Sequence, residues 1–106
     1  MDPNIKKQWI EALRSGKYKQ GRYWLRHRNE FCCLGVLCDL HAQATNCEWN
    51  TDENYLGAAQ ALPKEVVNWA GLDSEDPFIN EERVSSYNDR MKRNFDQIAD
   101  LIESNL

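Results

Sequence analysis

The chain has 106 residues, a net charge of −4 at neutral pH, 42% hydrophobic residues and 28% charged residues. This balance excludes a disordered chain, and the length matches a single domain, residues 1–106. No stretch approaches the roughly 20 apolar residues of a membrane span, and the first residues lack the basic start and apolar run of a secretory signal. We therefore expect a cytoplasmic protein that does not act at a membrane, with its four cysteines as thiols rather than disulfides.

The charges are unevenly distributed. Residues 1–28 carry eight basic and two acidic residues, a net charge of +6, whereas residues 29–106 carry five basic and fifteen acidic residues, a net charge of −10. Such an asymmetry predicts a basic patch on an acidic body. A protein that binds duplex nucleic acid is disfavoured, because the acidic remainder would repel a long phosphate backbone.

A first helix is predicted after Asp2, which can act as N-cap, with Pro3 at the first helical position. Apolar residues then recur at three- and four-residue spacing, and Ser15-Gly16 ends the helix.

A β-hairpin is predicted next. Tyr23 and Leu25 would face one side of its first strand and Arg22, Trp24 and Arg26 the other. Residues 27–30 would form the turn, and residues 31–34 the return strand.

Three short helices should follow the hairpin. They are a buried helix over 34–44, a helix from Pro63 to Ala70 closed by Gly71, and a last helix capped by Asn94, with Gln97 completing a capping box. The segment 45–54 reads as a loop, and so does 73–80, apart from a short strand at Phe78-Ile79. The fold class expected from these elements is α+β.

Several segments resemble a family of small, mostly uncharacterised proteins encoded by tailed bacteriophages and prophages. They are WIEALRSGKYKQ at 9–20, FCCLGVLCDL at 31–40, LPKEVVNWAGL at 62–72, ND at 88–89 and FDQIADLIE at 95–103. The resemblance implies phage infection of bacteria as the setting, and the cytoplasm of the bacterial host cell as the location. It implies no catalytic residues. The chain departs from the family pattern at 90–93, where Arg-Met-Lys-Arg replaces a short glycine-containing turn.

The cysteines and one histidine suggest two interpretations. Cys33, Cys38, His41 and Cys47 would be the ligands of a zinc site, although their spacing matches no standard zinc knuckle or ribbon. The favoured interpretation is structural, because free cysteines among Phe, Leu and Val behave as small hydrophobic residues.

No pattern typical of an enzyme is present. The chain has no phosphate-binding Walker loop, no dinucleotide glycine pattern and no His-Glu-x-x-His run. A cysteine nucleophile is disfavoured, since an apolar helix raises a thiol pKa. No cofactor is expected.

The most informative segment combines basic and aromatic residues between Arg14 and Arg28. Cations neutralise phosphate and aromatic rings stack on bases, so the mixture suits a nucleotide or a single-stranded nucleic acid. A solvated hairpin face with packed aromatics is the plainer alternative. The candidate ligand-binding residues are Lys17, Lys19, Arg22, Tyr23, Trp24, Arg26 and Arg28.

Two functional hypotheses follow. The first is a small phage-encoded interaction protein that binds and inhibits, or redirects, a host component, such as one of anti-phage defence. The second is a protein that sequesters a phosphorylated nucleotide signal through the basic and aromatic hairpin, with a homo-oligomer as the expected assembly. A zinc-binding protein ranks third.

Overall fold

The computed structural model describes residues 1–106. Its helices have 6 to 13 residues, and each of its strands has two. In chain order the elements are α1 (Pro3–Arg14), β1 (Lys19–Gln20), β2 (Arg26–His27), β3 (Glu30–Phe31), α2 (Cys33–Thr45), α3 (Lys64–Ala70), β4 (Phe78–Ile79), β5 (Glu82–Arg83), α4 (Val84–Asp89) and α5 (Phe95–Asn105). The α+β class is confirmed. Every helix is too short or too polar to span a lipid bilayer.

The predicted helix ends are formed by the expected caps. The Asp2 carboxylate accepts hydrogen bonds from the backbone N–H groups of Asn4 and Ile5, and Asn94 and Gln97 form a complete capping box at α5. Gly71 ends α3 in the left-handed conformation, with φ +67°. Pro63 is the N-cap of α3 rather than its first helical residue. The helix α4 was not predicted, so four helices follow the hairpin instead of three.

The hairpin is shorter than predicted. β2 pairs antiparallel with β3 around the turn Arg28-Asn29, whose two residues both have positive φ, as in a type I′ turn. β1 pairs parallel with the other edge of β3, which gives the order β1-β3-β2. The predicted return strand over 31–34 is wrong beyond Phe31, because Cys33 already begins α2.

The alternation predicted for residues 22–26 is also wrong. Leu25 is fully buried, whereas Tyr23 is 57% exposed, so the two side chains do not share a face. Neither lies in a strand. The segment folds as an irregular loop because tertiary hydrogen bonds, described below, replace the pairing that a strand would need.

A single core joins the five helices. Helix α1 packs against α5 and α2, and Trp9 of α1 is fully buried and donates its indole N–H to the carbonyl oxygen of Cys33 at 2.9 Å. A buried indole N–H needs such a partner. The contact places the first turn of α2 directly beneath the loop that precedes β2.

Gly35 allows this loop to approach α2. A Cβ atom at position 35 would lie 1.7 Å from the carbonyl oxygen of Leu25, far inside van der Waals contact. The glycine is therefore required by backbone approach, although it stands inside a helix, where glycine is otherwise unfavourable.

Gly35→Ala should destabilise the protein, although replacing glycine by alanine inside a helix usually increases stability. We expect a loss of roughly 1–3 kcal/mol or more in the free energy of unfolding, because the loop backbone must move to admit the methyl group. Urea unfolding followed by tryptophan fluorescence measures it. The control is Ala44→Gly, at an exposed position of the same helix, which should cost only about 1 kcal/mol. A Gly35→Ala protein as stable as the wild type would contradict the close approach.

Candidate functional site

Three consecutive residues of the predicted binding segment, Arg22–Trp24, are exposed. Tyr23 and Trp24 are 57% and 47% exposed, although large aromatic side chains usually lie inside a domain. They are adjacent and stand next to Arg22, which is also exposed. We call these three residues the exposed loop.

Asn88 and Asp89, at the end of α4, hold the first half of the exposed loop. The Asn88 side-chain amide donates to the carbonyl oxygen of Gly21 at 2.9 Å and to the Asp89 carboxylate at 2.8 Å. The same Asp89 oxygen accepts the backbone N–H of Tyr23 at 2.9 Å. Consecutive backbone groups on both sides of Arg22 are therefore fixed to α4.

Asn88 also reaches the elements beneath the loop. Its side-chain oxygen accepts the N–H of Cys33 at 3.2 Å and the side-chain amide of Gln20 at 2.9 Å. Cys33 is the first residue of α2. The N-cap residue of this helix, Cys32, makes no capping hydrogen bond with its side chain. Asn88 thus caps α2 from another helix and satisfies all four of its own hydrogen-bonding positions while fully buried.

Leu25 holds the second half of the exposed loop. Its side chain is fully buried, and its N–H donates to the carbonyl oxygen of Ala59 at 2.8 Å. Between these anchors Tyr23 has φ +72°, a left-handed conformation that is rare for a bulky side chain. Such backbone strain persists only where the surroundings impose it, and it is concentrated at functional sites.

Arg26, one of the predicted phosphate contacts, has its side chain engaged by neighbouring residues. Its guanidinium lies 5.4 Å from the ring centroid of Phe31 and 5.6 Å from that of Trp49, and it donates to the Asn29 side chain at 2.8 Å. Its Nε also lies 3.6 Å from the Glu53 carboxylate. These contacts hold the Arg26 side chain against its own hairpin and against the segment after α2 that contains Trp49 and Glu53.

The other predicted cations divide into two groups. Lys19 is paired with Glu30 across the β1–β3 ladder, with 3.4 Å between nitrogen and oxygen. The side chains of Lys17, Arg22 and Arg28 have no acidic partner and no hydrogen bond. Lys17 lines a separate cleft with residues of α1 and α2. The seven predicted residues therefore do not form one site. What remains is the exposed loop, with Arg28 in the turn of the hairpin that follows it in sequence.

A shallow cleft of about 520 Å³ lies beside Arg26 and Trp49. Its floor includes Asp39, whose carboxylate accepts hydrogen bonds from Tyr18, Gln43 and the Trp49 indole at 2.6–3.0 Å. Burial and this carboxylate raise the pKa of the Tyr18 hydroxyl. The Asp39 carboxylate is thus satisfied by neighbouring side chains, and Tyr18 packs on Phe31 instead of joining the exposed loop.

The alternative zinc ligands are not assembled. No three His, Cys, Asp or Glu side chains are grouped so that they could hold a metal ion. Cys33 and Cys38 are fully buried, and burial raises their thiol pKa well above the ordinary value, while it raises the pKa of Cys32 to about 12. The Nδ1 atom of His41 lies 2.6 Å from the Tyr55 hydroxyl. Cys47 is half-buried at the far end of α2.

Sequence reasoning missed Asn88 and Asp89 as site residues. They appeared only as part of the family resemblance, and a lone Asn-Asp pair carries no recognisable chemistry. Their role depends on α4, a six-residue helix that was not predicted.

Comparison with known proteins identifies the family. A family described as a domain of unknown function, DUF8296, has a sequence model that matches residues 1–106. The chain belongs to this family. No curated protein and no solved structure is detectably similar to the chain.

Asn88→Ala should destabilise the whole domain. The substitution leaves the Cys33 N–H and the Gly21 carbonyl without their partner, and each unsatisfied buried group costs about 1–3 kcal/mol. We expect a loss of roughly 2–4 kcal/mol in the free energy of unfolding, measured by urea denaturation. The control is Asn105→Ala, an exposed asparagine at the end of α5, which should change stability by less than about 0.5 kcal/mol. Equal effects of the two substitutions would contradict the role assigned to Asn88.

Stability should fall on mild acidification because of His41. Burial lowers the pKa of this imidazole below its ordinary value, so the folded state favours the neutral ring. The unfolded chain then takes up a proton first as the pH falls below about 6.5, and stability declines until the folded-state pKa is passed. Unfolding free energies of wild type and His41→Gln at pH 7.5 and 5.0 test this. The wild type should lose more than the variant, whose amide can still bond Tyr55 but does not titrate. An equal loss in both proteins would show that other groups cause the pH dependence.

Proposed function

We propose that this protein is a small, phage-encoded interaction module that binds a protein of the bacterial host through the exposed loop and inhibits or redirects it. One observation supports the proposal most directly: the consecutive residues Arg22, Tyr23 and Trp24 are all exposed, and hydrogen bonds fix the loop backbone at both ends. The phage setting is supported by the sequence resemblance, which covers nearly the whole chain.

The composition of the loop favours protein recognition. Trp, Tyr and Arg are the residues most enriched among the few that supply most of the binding energy of an interface. Exposing two aromatic side chains has no benefit for folding, and the burial of that surface by a partner would be favourable.

The rigidity of the loop supports the same function. Backbone groups at Gly21, Tyr23 and Leu25 are all hydrogen-bonded to other parts of the structure, so the loop loses little conformational freedom on binding. A segment held in its binding conformation has a smaller entropic cost of association. This gives the strained φ of Tyr23 a functional reason.

The nucleotide alternative has less support. It needs several cations around a cleft, but Arg26 and Lys19 are bound to their own neighbours. Arg22, Tyr23 and Trp24 line neither the cleft beside Arg26 and Trp49 nor the cleft that Lys17 lines. A protruding loop suits a pocket on a partner better than it suits a small ligand that must be enclosed.

Truncation of the aromatic side chains should abolish binding. Affinity purification with the full chain from a lysate of its bacterial host, followed by quantitative mass spectrometry, should enrich one protein over a charge-matched control. Tyr23→Ala and Trp24→Ala should each reduce that enrichment at least about tenfold, since central aromatic residues typically dominate an interface.

Phe78→Ala is the matched control. Phe78 is 56% exposed, and its ring contacts Arg83 of its own hairpin. It is distant from the exposed loop in sequence and shares no hydrogen bond with it. This variant should retain the partner. The proposal fails if no protein is enriched over the control, or if Phe78→Ala and Trp24→Ala reduce the enrichment equally.

A further inference from the structure

We infer that the partner presents an acidic rim around an apolar pocket, so that Trp24 enters the pocket while Arg22 and Arg28 face carboxylates. This inference rests on the proposed function, because it names the chemistry of the partner for the same loop. The supporting observation is the distribution of charge around the loop. The exposed aromatic residues alone do not indicate the charge of the partner.

The acidic residues that touch the segment are already engaged. Glu30 pairs with Lys19, and Glu53 pairs with Arg26 and accepts the backbone N–H of Arg28 at 3.0 Å. Asp89 accepts the backbone N–H of Tyr23. Asp89 therefore holds the exposed loop in place, whereas Glu30 is engaged by β1 and Glu53 by the hairpin that follows the loop.

Two guanidinium groups remain without a counter-charge. Arg22 stands in the exposed loop, and Arg28 stands in the turn of the hairpin that follows it. Neither has an ion pair or a side-chain hydrogen bond. Arginine is the side chain best suited to bidentate pairing with a carboxylate at an interface. The exposed loop thus combines apolar contact area with one free cation, Arg22, and the turn of the following hairpin carries a second, Arg28.

The acidic body limits what this positive charge can bind. The domain measures 33 × 26 × 24 Å, whereas the electrostatic screening length at physiological salt is about 8 Å. A compact cluster of carboxylates on a protein therefore interacts mainly with the charges within that distance of the loop. A long nucleic acid would also meet the rest of the domain, and residues 29–106 carry a net charge of −10, which opposes its binding.

Site-specific photo-crosslinking tests the inference on the intact chain. The probe is the full-length protein carrying Tyr23→p-benzoylphenylalanine, irradiated in host lysate, with the crosslinked peptide of the partner identified by mass spectrometry. We expect a protein crosslink to a segment rich in Asp and Glu that surrounds apolar residues. A crosslink to a neutral or basic protein segment, or to nucleic acid, would overturn the inference. No crosslink at all would instead count against the proposed function.

Charge reversal on the captured protein provides the second measurement. With the partner purified, Arg22→Glu should weaken its binding at least about tenfold in titration calorimetry, and the wild-type affinity should fall as salt is raised. Arg28→Glu should weaken it in the same direction. The control is Lys7→Glu, an exposed lysine on α1 that lines a cleft with α5, and it should change the affinity by less than about twofold. An affinity unaffected by Arg22→Glu and by salt would overturn the acidic rim while leaving a protein partner at the aromatic residues intact.

Discussion

The fold and the candidate site both depend on the buried carboxamide of Asn88. This side chain joins the start of α2, the end of β1 and the loop after it, and it belongs to a helix that follows more than fifty residues later. Because it is fully buried, each of its four hydrogen bonds forms where water cannot substitute. Leaving any of these buried groups unpaired would cost free energy of folding. The hydrogen bonds of Asn88 therefore fix the relative positions of α2, β1 and the loop after β1.

The exposed loop is a consequence of this arrangement. Fastening Gly21 and Tyr23 to α4 while burying Leu25 against α2 leaves no inward direction for the side chains between them. Arg22, Tyr23 and Trp24 therefore point outward. The close approach at Gly35 completes the constraint, because any larger residue at position 35 would push the loop backbone away from α2. The same contacts that stabilise the domain thus leave Arg22, Tyr23 and Trp24 exposed.

Cations near the loop serve two different purposes. Arg26 is placed over Phe31 and Trp49 and beside Glu53, so it stabilises the hairpin through cation–π contact and charge pairing. Arg22 has no such partner, and its exposed guanidinium is free of ion pairs within the domain. Residue type alone does not separate the two roles, because both arginines stand in one basic run with aromatic neighbours.

The sequence by itself determined the helices with strong periodicity and chemical caps, the turn at 27–30 and the α+β class. Each of these depends on residues that are close in the chain, such as Asp2 with the first turn of α1 and Asn94 with Gln97. The sequence also located the basic and aromatic segment that contains the exposed loop, because charge and aromatic content are local properties. Only the tertiary structure decided that Leu25 and Tyr23 lie in different environments, that Arg26 is bound internally and that Asn88 organises the site. These outcomes depend on contacts between residues up to 68 positions apart, and no local pattern records which distant backbone group a side chain will meet.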